Sequence, residues 1–180
     1  MSVKTAELTF TDGMHFETAT GSGRRFAYDD PPEGGLGPVE TVLTSLAACS
    51  AMDVISVALK KRQDIERYTI HVRGDQREAY PQVYTRIDLV HEVVGATVST
   101  EAIRRCIELS ATKYCPVNAM LSAGPTEVHH AYRIVRPGRP VDEGTVLVTG
   151  PYQRADALPD GAAATNGAAA TDDADELSGS

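Results

Sequence analysis

The sequence predicts a single α+β domain in which antiparallel strands pack on one long buried helix. Three observations carry this. Apolar residues alternate with period two through Ala6, Leu8 and Phe10, and again through Thr85, Ile87, Leu89 and Val93. From Pro38 to about Lys60 the chain is apolar nearly all round at helical spacing, and from Ser99 a second stretch carries Ile103, Cys106, Ile107 and Ser110 on one helical face. At 180 residues the chain is long enough to fill one core and short for two.

In chain order, Asp12-Gly13 turns a hairpin between Ala6–Phe10 and Met14–Phe16, and Arg25–Tyr28 reads as a third short strand. A glycine-rich loop, PPEGGLGP, leads to the long helix. Pro38 suits its first turn, Glu40 its positive end, and Lys60-Lys61-Arg62 its negative end, which gives about six turns. Its uniform apolarity predicts burial on most sides. The weakly charged run Leu43–Leu59 falls just short of a membrane span and is broken by Ser45, Ser50, Asp53 and Ser56, so no membrane partner is expected. Tyr68, Ile70 and Val72 form a meander with the strand around Leu89. The second helix begins at Ser99 or Thr100; Lys113-Tyr114-Cys115-Pro116 ends it and opens a short helix through Leu121. Val128–Val135 is the final strand of a domain covering residues 1–136. Residues 137–154 read as an extension, with Thr145–Thr149 open to being one more strand. Residues 155–180, rich in Ala, Gly and Asp without an aromatic residue, are expected to be a disordered tail.

The net charge of -8 is concentrated in that tail, which holds six acids and no base and leaves 19 acids against 17 bases before it. A nearly neutral body lacks the basic stripe that nucleic acid requires. The N-terminus shows no basic region followed by an apolar stretch, so a cytoplasmic location is expected. His129 and His130 are adjacent on a strand and point to opposite faces, and no CxxC or HxxxH spacing occurs, so neither a metal nor another cofactor is expected.

Three cysteines in a reducing compartment do not make a structural framework. Cys49 lies mid-helix in LAACSAMD, where both a buried small hydrophobe and a catalytic thiol fit. Cys115 directly precedes Pro116, so it falls at the N-cap of the short helix, where unpaired N–H groups and nearby Lys113 favour a thiolate. Cys106, on an apolar helical face, reads as core.

In this order, GPVETVLTSLAACSAMDV on a long helix and KYCPVNAML opening a short one resemble the OsmC/Ohr family, which includes organic hydroperoxide resistance proteins. The resemblance covers roughly residues 3–136. It implies an OsmC-like fold in an intertwined homodimer, with the central helices buried across the interface. It further implies that Cys49 is the peroxidatic and Cys115 the resolving cysteine. The activity so implied is reduction of a small hydrophobic hydroperoxide through a Cys49 sulfenic acid and a Cys49–Cys115 disulfide, in oxidative-stress defence. A dithiol reductant of lipoyl or thioredoxin type would complete the cycle. A mid-helix thiolate gains little from the helix dipole and needs a cation. By resemblance this is an N-terminal arginine held by the helix glutamate, which points to Arg24 or Arg25 and to Glu40. Nine residues of helix put Glu40 about 13 Å from Cys49 on the opposite face, so a shared site would be built across subunits. Glu40 stands one residue nearer the cysteine than in the peroxidase branches, and Ser50 and Asp53 replace their apolar pattern. The alternative implied is a non-enzymatic dimer that binds a hydrophobic ligand or senses redox state.

Overall fold

The alternating run that contains Leu89 becomes an inner strand of a four-stranded sheet. The structure, a computed structural model, describes residues 3–29 and 36–151. Most of the glycine-rich loop and the acidic tail lie outside the described residues. The elements are β1 (Ala6–Asp12), β2 (His15–Thr20), β3 (Arg25–Tyr28), α1 (Pro38–Lys60), β4 (Arg67–Gln76), β5 (Tyr84–Val94), α2 (Thr100–Leu109), a π-helical turn (Ser110–Tyr114), α3 (Pro116–Ser122), β6 (Glu127–Val135) and β7 (Asp142–Thr149).

β1, β2 and β3 form one antiparallel sheet, turning at Gly13, whose φ of 49° suits glycine. β4, β5, β6 and β7 form the second sheet in that order. The sheets were expected to be antiparallel throughout, and one pair is not: β5 and β6 run parallel. The reason is the connection. Parallel neighbours need a long crossover, and α2, the π-turn and α3 supply it. Val128–Val135, expected to be the final strand, is followed by another: β7 covers Thr145–Thr149, the segment open to being a strand, begins earlier at Asp142, pairs with β6 and buries Val146, Leu147 and Val148 in the core.

Odd-numbered β5 residues Ile87, Leu89, His91 and Val93 face the helices and are fully buried. The opposite face carries ion pairs such as Arg86–Asp88 and Arg67–Glu92. One apolar cluster joins Val54, Ala58, Val93, Ile103, Cys106, Ile107 and Ile134; a second joins Leu46, Tyr84, Ile87, Leu89, Cys115 and Val128. His91 lies between Leu89 and Val93 on β5, and His130 between Val128 and Ile134 on β6, so a polar seam divides the two clusters.

Within one chain α1 is buried along a single stripe, Leu46, Ser50, Val54 and Ala58, rather than on most sides. Met52 is 74% and Leu59 62% exposed on its other side. The helix has the expected bounds, and over its 23 residues, which include an 18-residue window of mean hydropathy 1.9, it is long and apolar enough to cross a membrane by length and composition. β1 likewise leaves Leu8 and Phe10 largely exposed among the described residues, although the Phe10 ring meets Phe16 edge-on at 5.6 Å.

Candidate functional site

Two helices deliver the site. α1 begins at Pro38 after Gly37, whose backbone N–H donates to the Glu40 carboxylate at 3.4 Å. Cys49 and Asp53, four residues apart, share a face of α1. On the other side of the site the chain leaves α2 through the π-turn, closed by the Cys115 N–H donating to the Ser110 carbonyl at 2.8 Å. Such wide turns insert a residue and re-phase a helix. Cys115 thereby becomes the N-cap of α3, with Pro116 at the first helical position.

These elements bring together two residues that the family resemblance paired. The Sγ atoms of Cys49 and Cys115 and a carboxylate oxygen of Asp53 all lie within 4.8 Å of one another. Cys49 is half-buried and Cys115 buried; all three cysteines are free thiols. Cys106 sits in the other apolar cluster, fully buried, as expected of a core residue.

The electrostatic expectation for Cys115 is overturned. Burial pushes its thiol up to about 12, and the neighbouring Cys49 adds to that rise, while the N–H groups of Asn118 and Val117 lower it too little to compensate. Desolvation outweighs one short helix's end. Lys113 does not offset it either, being exposed with its ammonium 5.4 Å from the centre of the Tyr114 ring.

Sequence reasoning did not find the chain of side chains that holds Cys115. The backbone N–H of Asn118 donates to Cys115 Sγ at 3.3 Å. The Asn118 side chain donates to the Ala111 carbonyl at 2.9 Å, pinning the π-turn, and lies 3.3 Å from the Thr149 hydroxyl. Its carbonyl lies 3.0 Å from His130 Nε2; His130 Nδ1 lies 3.3 Å from His91 Nε2; and His91 Nδ1 lies 2.7 Å from the Tyr68 hydroxyl. One arrangement satisfies every link: both imidazoles neutral with protons on Nε2, and Tyr68 donating. Burial holds His91 well below the ordinary histidine value and His130 at about 4, and drives Tyr68 upward. The pairing of β4, β5 and β6 sets the three rings diagonally across one sheet face. Fully buried His130 and half-buried His129 diverge, as adjacent strand residues must.

The remaining expected residues stand apart from the thiol pair within one chain. Glu40 occupies the capping position at Gly37 and lies near enough to Tyr84 to help raise its phenol, after burial. Arg24 and Arg25 are exposed at the β2–β3 turn, and among the described residues neither forms an ion pair with Glu40. Asp53, one helical turn from Cys49 in the sequence, does face the thiol pair; what sequence reasoning missed is its partner in space, Ser110, on a different helix, whose hydroxyl is 3.2 Å from Asp53 Oδ2 and 3.3 Å from Ser50 Oγ.

Comparison with known proteins matches residues 31–130 to the family model of the OsmC-like protein. Protein YhfA of Escherichia coli strain K12 is 32% identical over 131 residues, covering 72% of this chain and 97% of its own. A hypothetical protein from Aquifex aeolicus VF5 superposes with a TM-score of 0.67 at 29% identity, over 76% of this chain and 98% of that one. A Legionella pneumophila structure described as an organic hydroperoxide resistance protein OsmC shares the fold, with a TM-score of 0.56 at 15% identity over 76% and 98% of the two chains. With its long cysteine-bearing helix, its Cys-Pro N-cap and these relatives, the chain belongs to the family of OsmC-like proteins.

Proposed function

We propose that the protein is a homodimeric thiol peroxidase that reduces organic hydroperoxides, alkyl or lipid, through Cys49 and Cys115. The supporting observation is the approach of the two sulfurs to within 4.8 Å, one half-buried and one buried. The more accessible Cys49 is the attacker. Its sulfur bonds to the terminal peroxide oxygen, the O–O bond breaks, and the alcohol departs with a proton. The Cys49 sulfenic acid is then captured by the Cys115 sulfur, the disulfide forms, and the hydroxyl leaves with the Cys115 proton as water. Holding Cys115 as a protonated thiol keeps it from competing for peroxide. A dithiol of lipoyl or thioredoxin type would reduce the disulfide.

An apolar groove of about 610 Å³, lined by Val39, Val42, Tyr80, Tyr84, Met120 and Leu121 among others, suits an alkyl chain. Val42, Tyr84 and Leu121 also pack in the cluster that holds both cysteines. The description of the Legionella pneumophila protein favours the same class of substrate. The homodimer is supported by what one chain leaves uncovered: Met52 and Leu59 on α1, Leu8 and Phe10 on β1. In such a dimer Arg24 or Arg25 and Glu40 of one subunit would complete the other's thiol site.

Asp53 favours a second reading. A carboxylate beside both sulfurs opposes the build-up of negative charge there, which suits a protein that binds a hydrophobic ligand or reports redox state with slow turnover. Single-turnover oxidation with cumene hydroperoxide, followed by mass spectrometry of thiol loss, separates the two. Rapid loss of two thiols per chain, from Cys49 and Cys115, with repeated turnover once a dithiol is added, is expected of the peroxidase; unchanged thiols, or one slow oxidation without turnover, would leave the second reading.

A further inference from the structure

Cys49 and Asp53 share one face of α1, and the π-turn and α3 set Cys115 against them, so three ligand atoms converge within 4.8 Å of one another. We propose that in the reduced protein Cys49, Asp53 and Cys115 bind a thiophilic divalent cation, Zn²⁺ by preference. Tetrahedral Zn²⁺, with bonds of about 2.3 Å to sulfur and 2.0–2.2 Å to oxygen, sets its ligand atoms about 3.5–3.8 Å apart. Closure from the observed spacing therefore needs about 1 Å, within reach of a small rotation about the cysteine χ1 angles. Two sulfurs with one carboxylate exclude Ca²⁺ and Mg²⁺, which take oxygen ligands.

The surroundings support a cation independently of the ligands. Asp53 has no ion-pair partner among the described residues, so its charge is uncompensated beside the sulfurs. Each of two ligands also has an outer partner that orients it: the Asn118 N–H at 3.3 Å from Cys115 Sγ, and the Ser110 hydroxyl at 3.2 Å from Asp53 Oδ2. Asn118 is itself fixed by His130. Cys49 and Asp53 are half-buried, so water can take a fourth position, as in open rather than purely structural zinc sites.

Binding displaces the thiol protons to solvent and holds both sulfurs as metal thiolates. A bound ion would mask them. Resting on the peroxidase reading, an organic hydroperoxide would take two electrons from the thiolate pair and two protons from solvent. The products are an alcohol, water and the disulfide, and Asp53 alone cannot retain the ion.

The test is titration of the reduced, chelator-treated full chain with Co²⁺ as a spectroscopic probe and then with Zn²⁺. One Co²⁺ per chain is expected, with thiolate-to-cobalt absorption and tetrahedral visible bands, displaced by Zn²⁺ with proton release. Cys49→Ser and Cys115→Ser should each cut the thiolate absorption per bound cobalt to about half and weaken Zn²⁺ about a hundredfold, Asp53→Asn at least about tenfold, and Cys106→Ser should change nothing. Asp53→Cys, which supplies a third sulfur, should bind more tightly and guards against a loss caused by misfolding. Absence of thiolate-to-cobalt absorption in the unsubstituted chain, unchanged Zn²⁺ affinity in Asp53→Asn, or loss of binding in Cys106→Ser would each overturn the site. Peroxide oxidation measured with chelator present tests the peroxidase reading separately.

Discussion

The side-chain carbonyl of Asn118 accepts a hydrogen bond from His130 Nε2 at 3.0 Å, while the backbone N–H of the same Asn118 donates to Cys115 Sγ at 3.3 Å. Two histidines and a tyrosine thus reach the thiol through one buried amide. Removing a member strands buried polar atoms, which costs more than the net worth of one hydrogen bond. Asn118→Ala should lower stability by about 2–4 kcal/mol, and His130→Phe by a similar amount, measured by urea unfolding. In both variants disulfide formation should slow more than the first oxidation of Cys49, because only the former depends on where Cys115 points. Equal slowing of the two steps would assign the chain a purely structural role.

The buried histidines also set an acid limit. Burial holds His130 at about 4 in the folded chain, against about 6.5 unfolded, and holds His91 well below its usual value. Between those values the unfolded chain binds more protons than the folded one, so stability rises with pH. The contribution is complete above about pH 6.5 and is lost progressively as pH falls toward 4, amounting to about 3 kcal/mol for His130. Melting temperature followed from pH 7.5 to 4 should drop through that window, and the drop should be smaller in a double variant with His91→Phe and His130→Phe. An equal drop in that variant would move the effect to the carboxylates.

Position separates the three cysteines chemically. Cys49 and Cys115 face each other, whereas Cys106 is sealed in the other cluster with its thiol raised by burial. Peptide mapping after peroxide treatment should recover the Cys49–Cys115 pair within one chain and leave Cys106 reduced. Cys49→Ser should cut peroxide consumption about a hundredfold or more. Cys115→Ser should permit one oxidation and then stall or over-oxidise. Main-band disulfides containing Cys106 would reject the assignment.

The uncovered faces of α1 and β1 predict association. Covering a fully exposed Leu, Met or Phe contributes about 1.5–3 kcal/mol, so burying the exposed parts of Met52, Leu59, Leu8 and Phe10 in each subunit favours a dimer. Met52→Glu should produce monomers at micromolar concentration in sedimentation velocity. If the site is shared, mixing inactive Cys49→Ser chains with inactive Glu40→Gln chains should restore activity, because one composite site in the mixed dimer is intact. Mixed dimers confirmed by native mass spectrometry yet inactive would remove Glu40 from the chemistry and leave it the capping role seen at Gly37.

Local chemistry decided much of this protein in one dimension. The Asp12-Gly13 turn, the start of α1 at Pro38, the Ser99 cap and the Cys115-Pro116 N-cap are legible because each rests on neighbours in the chain. The pairing of Cys49 with Cys115 was legible only through family resemblance, since no spacing rule joins a mid-helix residue to a distant N-cap. Tertiary structure alone decided three things. It set β5 and β6 parallel, because a helical crossover came between them. It made Cys115 a thiol of raised pKa, because desolvation by the surrounding cluster exceeds what a short helix's N–H groups return. It also brought Ser110 to Asp53 and joined Tyr68, His91, His130 and Asn118 into one chain, through strand register and helix placement. Those contacts join residues whose sequence neighbours say nothing of one another.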